Sequence, residues 1–292
     1  MTIPQNNSKH STNATQVGIV ACADDFGLNA EVDEAIIDLV SRRRLTAVGA
    51  LVDGPQIHQR ALTLAGLETD LGLHLNFTET WPGIPPAPWL MSWRHLVLKS
   101  YLGLLNAQQV NRAIEHQLDQ FEAIFKRPPD FVDGHLHVHQ LPGIRQPLLS
   151  ILKRRYANHL PWLRDTRPHL SVSKAMPFWQ RFKAQVIGFL GARALINEAT
   201  KLKFKSNQGF VGAYDFSRPH PPFDQMLKMW LPTLQTGGLL MMHPSKQVLN
   251  NDPMGPSRVQ EFTLLASPAW PELLAENDCK LVRLSQITSS LP

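Results

Sequence analysis

The chain has 292 residues, of which 43% are hydrophobic, and a formal net charge of +5. This length favours one α/β-barrel-sized domain with a large core, with two domains as the alternative. The basic residues are scattered and form no stripe interleaved with aromatic residues, which argues against nucleic acid as a partner. The two cysteines, Cys22 and Cys279, provide neither a disulfide framework nor a CxxC metal motif.

Residues 1–15 are polar and lack the apolar core of a signal peptide. We expect them to form a disordered tail before a single domain over residues 16–292. No apolar run free of charges reaches membrane-spanning length, so the sequence predicts a cytoplasmic protein. The protein can be a monomer or a homo-oligomer, and the sequence does not decide between the two.

Predicted strands and helices alternate along the chain. Short apolar runs predict strands over residues 17–23, 45–52, 70–77, 131–139, 238–243 and 280–284. Apolar residues at helical spacing predict helices over residues 31–40, 56–65, 106–125, 147–155, 186–200, 222–234 and 271–276. This alternation is typical of a parallel α/β sheet or barrel.

Two adjacent carboxylates, Asp24 and Asp25, lie between the first strand and the first helix. In α/β folds the carboxyl ends of parallel strands are where chemistry is placed. Side chains alternate along a strand, so we expect these two to face different ways and to have different roles. The alternative is that they only end a strand and cap a helix.

The segment DGHLHVH, residues 133–139, carries the strongest chemical signal in the chain. On a regular strand, Asp133, His135, His137 and His139 share one face, which would point into a barrel. Imidazoles are costly to bury without partners, and a metal ion is the simplest partner for several of them. The four residues of such a row cannot all bind one ion. Some of them must therefore orient a metal-ligating residue from behind or bind the substrate.

Two further histidines follow strands of the same predicted sheet. His74 stands among leucines near the end of the third strand, and His243 closes the strand at 238–243. Taken singly, each is more simply explained as a structural histidine. In a parallel barrel, however, all strand carboxyl ends lie on one rim, so Asp25, His74, His135 and His243 would share a pocket. Two histidines and one carboxylate leave open positions on a divalent ion for water and substrate.

Four motifs, in this order, resemble those of the YdjC-like carbohydrate deacetylases, a family that includes chitooligosaccharide and hopanoid-biosynthesis-associated deacetylases. They are ADDFGL at 23–28, GLHL at 72–75, DGHLHVH at 133–139 and MHP at 242–244. The resemblance extends over residues 17–284 and includes NQGF at 207–210. It implies a distorted (β/α) TIM-like barrel with a parallel inner sheet. It also implies removal of acetyl groups from N-acetylated amino sugars, in a glycan or a glycolipid.

By position, the resemblance implies that Asp25, His74 and His135 bind one divalent metal ion, Mg²⁺ or Zn²⁺. It further implies that Asp24 is the general base and that His243 is the acid. Amide hydrolysis needs such groups, because a metal ion polarises the carbonyl and lowers the pKa of bound water. A carboxylate takes the proton from the water, and an imidazole protonates the leaving amine.

We expect Asp133, His137, His139 and Trp89 to orient a ligand or to bind the substrate. The loop at 81–93 has three tryptophans among four prolines and follows the His74 strand, so it should overhang the metal rim. Its indoles would stack on a sugar or line a groove for a lipid tail, which favours a substrate with a hydrophobic aglycone. The alternative is that they pack on the helix at 106–125.

Residues 178–204 mix large apolar and basic side chains. This mixture suits an amphipathic helix that faces the core, or a surface helix in peripheral contact with an anionic membrane.

Three other functions compete with deacetylation. A non-haem Fe(II) oxygenase also uses two histidines and a carboxylate, but we would expect that triad on an all-β fold. A metal-dependent phosphoesterase would release phosphate from aryl phosphates and no acetate. A non-catalytic sugar-binding barrel would bind an acetylated sugar without turnover.

Overall fold

A computed structural model of the chain describes residues 16–167, 185, 187–216, 221–249 and 252–287. The predicted tail at 1–15 lies outside these residues. Within them, eight parallel strands form one sheet. The strands are β1 (Val17–Phe26), β2 (Ala47–Ala50), β3 (Asp70–Leu75), β4 (Phe131–Gly134), β5 (Trp162–Leu163), β6 (Phe210–Val211), β7 (Leu239–Met242) and β8 (Cys279–Leu281).

The sheet curls into the predicted distorted barrel. Its strand order is β5-β4-β3-β2-β1-β7-β6, and β8 pairs with the first residues of β1. Leu163 of β5 forms a parallel bridge to Ser206, which precedes β6, so the two ends of this order meet. The prediction of an α/β barrel with a parallel inner sheet is confirmed.

Helices follow most of the strands. They span Ala30–Ser41, Ile57–Ala65, Trp93–Tyr101, Ala107–Phe125, Arg145–Arg155, Arg193–Lys201, Phe223–Trp230, Gly255–Ala266, Ala269–Glu276 and Leu284–Ile287. The first begins where Asn29 accepts a hydrogen bond from the Val32 N–H, as its cap chemistry predicts. The sequence pattern did not predict the helices Trp93–Tyr101, Gly255–Ala266 and Leu284–Ile287.

The side chains of β1 alternate between two cores. Ile19, Ala21 and Ala23 belong to the large core between the sheet and the helices. Val20 and Cys22 point the other way, into a small cluster inside the barrel. The interior of the barrel is tightly filled. The rings of Phe131 and Trp162 stack there with their centroids 4.2 Å apart.

The predicted strand at 131–139 is wrong in its second half. Strand β4 ends at Gly134, and a 3₁₀ turn, His135–Gln140, follows. Leu136 and His137 have φ values of 51° and 60°, in the left-handed region. Strand β3 ends at Leu75, opposite Gly134, so a longer β4 would have no partner on that side. The three histidines therefore do not share one strand face.

The amphipathic segment at 178–204 is described only in part. Residues 178–184 and 186, with half of its aromatic and basic side chains, lie outside the described residues. In the described part, the helix Arg193–Lys201 buries Leu195, Ile196 and Ala199 against the protein. Among the described helices, none has the length and apolar character needed to cross a membrane.

The packing inside the barrel predicts that Gly72→Ala is destabilising. A Cβ at position 72 would lie 2.3 Å from ring atoms of Phe131, whose other neighbour is the stacked Trp162. Overpacking of this kind costs about 1–3 kcal/mol of unfolding free energy, which should lower the urea midpoint. Gly66→Ala is the control, because its Cβ would come no closer than 3.6 Å to any atom. Equal midpoints for Gly72→Ala and wild type would contradict this account of the interior.

Candidate active site

Asp24 and Asp25, at the carboxyl end of β1, both line one cavity of about 320 Å³. Asp25 has a φ of 69°, and the pairing of β1 with β2 shifts register between Ala23 and Phe26. An irregularity of this kind re-aims a side chain. The expectation that the two carboxylates face different ways is therefore wrong, because the strand is not regular at this point.

Asp25, His74 and His135 bring three potential metal-ligating atoms within 4.8 Å of one another. Oδ1 of Asp25 lies 3.1 Å from Nδ1 of His135 and 3.6 Å from Nε2 of His74. The three residues lie at the carboxyl ends of β1, β3 and β4. Two imidazoles and one carboxylate form a donor set that transition-metal ions accept, so these residues fit a divalent ion.

A carboxylate stands behind each of the two histidines. Nδ1 of His74 is 2.7 Å from Oδ1 of Asp133, and Nε2 of His135 is 3.4 Å from Oε2 of Glu79. Metal-ligating histidines typically give their second ring nitrogen to such a partner, which fixes the ring orientation. Gly49 leaves room for this arrangement, since a Cβ there would lie 3.2 Å from Nδ1 of His74.

These carboxylates favour the charged form of both imidazoles. Burial alone would lower the pKa of His135, but Asp25 and Glu79 raise it to about 10. Burial also acts to lower the pKa of His74, and the neighbouring carboxylates, Asp133 first, outweigh it and raise the value. With no metal bound, His135 therefore carries a proton at neutral pH.

Arg258 fixes the orientation of Asp25. Burial would raise the pKa of Asp25, but Arg258 and then His135 hold it well below its usual range. Nη2 of Arg258 donates to Oδ2 of Asp25 over 2.7 Å, which leaves Oδ1 facing the histidines. Nη1 of Arg258 also donates to the carbonyl of His243 over 3.4 Å. This one guanidinium thus links the ends of β1 and β7.

Arg164, directly after β5, is fully buried between two aspartates. Nη1 and Nη2 donate to the two oxygens of Asp24 over 2.5 and 2.6 Å, and Nη2 lies 2.6 Å from Oδ2 of Asp133. Nη2 is also 3.0 Å from Sγ of Cys22. A second group of potential ligands, Asp24, His74 and Asp133, surrounds this guanidinium. Arg164 contacts both carboxylates of this second group, whereas Arg258 leaves Oδ1 of Asp25 facing the two histidines, so the group containing Asp25 is the better metal site.

His243 lies at the cavity wall beside Asp24. Its Nε2 is 3.9 Å from Oδ2 of Asp24, and its backbone N–H donates to Oε2 of Glu261 over 2.5 Å. Glu261 is buried and also accepts a hydrogen bond from the Tyr214 hydroxyl over 2.7 Å. Burial lowers the pKa of His243 to about 4, so its imidazole is neutral at pH 7.

The other residues of the 133–139 segment have different surroundings. His137 lines the cavity. Asp133 and His139 are fully buried behind the wall, and Nε2 of His139 lies 3.0 Å from the carbonyl oxygen of Arg164. The expected substrate contacts of Asp133 and His139 need correction, because both side chains face protein groups and leave the cavity to His137.

Trp93, rather than Trp89, reaches the cavity that contains the two aspartates. Most of the cavity wall is apolar: Trp93, Leu136, Ile187, Leu190, Phe216, Met241 and Met254. Trp89 packs against His116 on the helix Ala107–Phe125, with 5.4 Å between ring centroids, and borders a second cavity. Trp89 therefore packs on the helix Ala107–Phe125, as the alternative for this loop predicted. A substrate with a hydrophobic aglycone stays a prediction.

Four charged residues of this site were not apparent from sequence patterns: Glu79, Arg164, Arg258 and Glu261. Arg164 and Glu261 are fully buried. A buried charge is rare unless it is paired, but its burial is not visible in a sequence. The one local signal is that Glu79 and Arg164 come after β3 and β5, near the strand ends that also carry the predicted ligands.

Comparison with known proteins gives the family. A model described as YdjC-like protein matches residues 18–276. This chain belongs to the YdjC-like family. A mouse relative named carbohydrate deacetylase is 27% identical over 95% of this chain and 97% of its own length. A Yersinia pestis relative named chitooligosaccharide deacetylase is 29% identical over 47% of this chain and 55% of its own length.

Solved structures support the barrel fold of this YdjC-like chain. A structure from Enterococcus faecalis V583, named "putative cellobiose-phosphate cleavage protein", matches with a TM-score of 0.66 and 17% identity. The match covers 93% of this chain and 99% of that one. A peptidoglycan N-acetylglucosamine deacetylase matches with a TM-score of 0.50 and 10% identity, over 93% and 87% of the two chains. At these identities the likeness concerns the fold alone.

The buried ion pairs predict that Arg164→Met strongly destabilises the protein. Asp24 and Asp133 would lose the guanidinium that pairs with both of them, and an uncompensated buried charge costs about 3–5 kcal/mol of unfolding free energy. Arg42→Met is the control, because Arg42 forms an exposed pair with Asp38 that contributes little. Unfolding curves in urea measure both variants. A cost for Arg164→Met as small as that of the control would contradict the buried network.

Proposed function

We propose that the protein is a metal-dependent hydrolase that removes acetyl groups from N-acetylated amino sugars in a glycan or glycolipid. The proposal rests on one observation: Asp25, His74 and His135 surround a single point, with Asp24 and His243 beside it. The names of the mouse and Yersinia pestis relatives support a carbohydrate deacetylase. The test is to incubate metal-loaded protein with N-acetylglucosamine conjugates and to measure free acetate.

Asp25, His74 and His135 would hold the ion through Oδ1, Nε2 and Nδ1. A bound divalent ion would polarise the amide carbonyl and lower the pKa of water. Two imidazoles among three protein ligands favour Zn²⁺ over Mg²⁺, which prefers oxygen donors. Asp133 and Glu79 orient the two rings from behind.

Asp24 would act as the general base. Its carboxylate lies next to the three ligands, and Arg164 holds both of its oxygens in place. A fixed carboxylate within reach of the attacking water can take its proton without first having to reorient. The two adjacent aspartates would therefore have different roles, because Arg164 binds Asp24 and Arg258 binds Asp25.

His243 would protonate the leaving amine. Its imidazole is neutral at pH 7, so it must gain a proton before it can give one. Asp24 is the nearby carboxylate that can supply it, since 3.9 Å separates its Oδ2 from Nε2 of His243. We infer that the proton taken from water passes from Asp24 through His243 to the amine nitrogen.

Phosphoester hydrolysis is less well supported by the charges around the centre. Arg164 and Arg258 each pair with an aspartate, so neither is a free cation for a phosphate group. The apolar wall, with Trp93 and Phe216, suits an acetyl methyl group and one face of a sugar ring. Release of phosphate from aryl phosphates without release of acetate would favour the phosphoesterase. Binding of an acetylated sugar without turnover would favour a non-catalytic barrel.

Substitutions of the two adjacent aspartates should separate chemistry from metal binding. Asp24→Asn should keep the metal and lower kcat by about 10²–10⁴-fold, because an amide cannot accept the proton. Asp25→Asn should instead lower metal occupancy by roughly 10-fold or more. Elemental analysis and acetate release measure the two effects. If Asp24→Asn lost the metal and Asp25→Asn kept it, the two roles would have to be exchanged.

Metal binding should release protons and should strengthen as the pH rises. The pKa of His135 is about 10 in the metal-free protein, so its proton must leave before the ring binds a metal at pH 7. Calorimetry in buffers of different ionisation enthalpy counts the protons released.

Glu79→Gln is the matched variant for this measurement. Removing that carboxylate lowers the pKa of His135 and should reduce proton release at pH 7. Zn²⁺ affinity that does not change between pH 6.5 and 8.5 would exclude His135 as a ligand.

A further inference from the structure

The helix Trp93–Tyr101 packs on the protein with one face and leaves an apolar face exposed. Leu96 and Ser100 are its buried residues. Leu98 and Leu102 are one helical turn apart, so they lie on the same face, and each is more than half exposed. An amphipathic helix ordinarily buries its leucines and exposes polar residues. This helix therefore presents leucines on a face where polar side chains are expected.

The end of this helix adds a third leucine to the exposed surface. Gly103 has a φ of 68°, and the N–H of Leu104, the next residue, donates to the carbonyl of Lys99 over 2.8 Å. This pattern is a Schellman turn, which brings Leu104 back beside the last turn of the helix. Leu104 is 63% exposed. Backbone hydrogen bonding thus fixes the position of this exposed leucine.

A second segment meets the helix at the same surface. The Tyr101 hydroxyl donates to the carbonyl of Phe189 over 3.4 Å, and Phe189 is 83% exposed. We call Leu98, Tyr101, Leu102, Leu104 and Phe189 the apolar patch. Exposed apolar residues that are scattered singly need no explanation, whereas a cluster of them marks an interaction surface.

The apolar patch continues to the cavity that contains the two aspartates. Trp93, at the start of the same helix, lines that cavity, and so does Leu190, which is adjacent to Phe189. Leu136 also lines the cavity and is 46% exposed, so it lies where the cavity opens. Any surface that covers the patch therefore lies beside the entrance to the candidate active site.

The unpaired charges around the apolar patch are positive. Arg94 and Lys99 lie on the same helix, within about one turn of its exposed leucines, and both are exposed. Residues 80–114 contain no aspartate or glutamate. Arg145 also lies near the patch, but it is paired with Glu198. Lysine is depleted in protein–protein interfaces, whereas leucine and phenylalanine beside lysine and arginine are typical of contacts with anionic membranes.

We propose that the apolar patch docks the protein on the surface of an anionic lipid bilayer. In the docked state the leucines and Phe189 enter the headgroup region, while the long side chains of Arg94 and Lys99 keep their charges at the level of the lipid phosphates. The cavity entrance then lies close to the membrane surface. This peripheral contact requires no membrane-spanning helix, and it does not depend on the proposed deacetylation.

Co-sedimentation of the metal-loaded protein with two kinds of vesicle tests the proposal. One kind is phosphatidylcholine alone, and the other is phosphatidylcholine with about one third phosphatidylglycerol. We expect tighter binding to the anionic vesicles than to the neutral ones. High salt should weaken the binding to anionic vesicles, because it screens the attraction between the basic residues and the lipid phosphates.

Single substitutions separate the apolar contribution from the electrostatic one. Leu98→Glu and Leu102→Glu should each lower the partition coefficient about 10-fold, because the carboxylate resists burial and is repelled by the lipids. Lys99→Gln should lower it about 5-fold on anionic vesicles, the contribution of one basic residue near such a surface, and leave neutral vesicles unaffected. Leu62→Glu is the matched control, because Leu62 is 74% exposed on the helix Ile57–Ala65, outside the patch. Thermal melts establish that each variant is folded.

Three outcomes would overturn the proposal. They are wild-type protein that stays in the supernatant with anionic vesicles, patch variants that bind as wild type does, and a loss for Leu62→Glu equal to that for Leu98→Glu. Sedimentation velocity adds a fourth. A wild-type dimer that Leu98→Glu dissociates, with no binding to vesicles, would assign the patch to a second copy of the chain. Vesicle binding through the patch without any acetate release would keep this inference and reject the deacetylase.

Discussion

The buried guanidinium of Arg164 determines how the centre of the barrel is arranged. It lies after β5 and bonds to Asp24 on β1 and Asp133 on β4, so this fully buried side chain connects three strands. Asp133 in turn orients His74. The proposed base, Asp24, and one candidate ligand, His74, thus depend on the same cation. Buried charges give little net stability, but they allow few alternative geometries, which suits a site that must be preorganised.

The raised pKa values of His74 and His135 describe the electrostatic state of the same centre. Both rings face carboxylates on two sides, which favours their protonated forms, and the proton on His135 offsets part of this negative charge. A divalent cation would bring that positive charge itself and release the proton. The carboxylates that orient the rings in the metal-free protein are therefore the groups that would also increase their donor strength towards a metal.

Local patterns were sufficient to predict the parallel α/β architecture and to bring Asp25, His74, His135 and His243 into one pocket. The family resemblance then singled out the three candidate ligands, but neither predicted Glu79, Arg164 and Arg258 around them. His74 and Asp25 are polar residues at the ends of apolar strands, and periodicity reveals such positions. Arg164 follows a strand of two residues, too short to have a period. In residues 131–139 the period of two continues past Gly134, yet β3 offers no partner beyond that point. Pairing with β3 therefore determines where this strand ends. The local pattern of a single sequence does not reveal that pairing.

The position of β1 in the sheet has a consequence for synthesis of the chain. This first strand pairs with β2, β7 and β8, and two of these three partners are more than 200 residues away. During translation, β1 has an open hydrogen-bonding edge until β8 leaves the ribosome. A parallel sheet closed by such distant contacts folds slowly and exposes apolar surface meanwhile, so the nascent chain should depend on molecular chaperones more than the finished enzyme does.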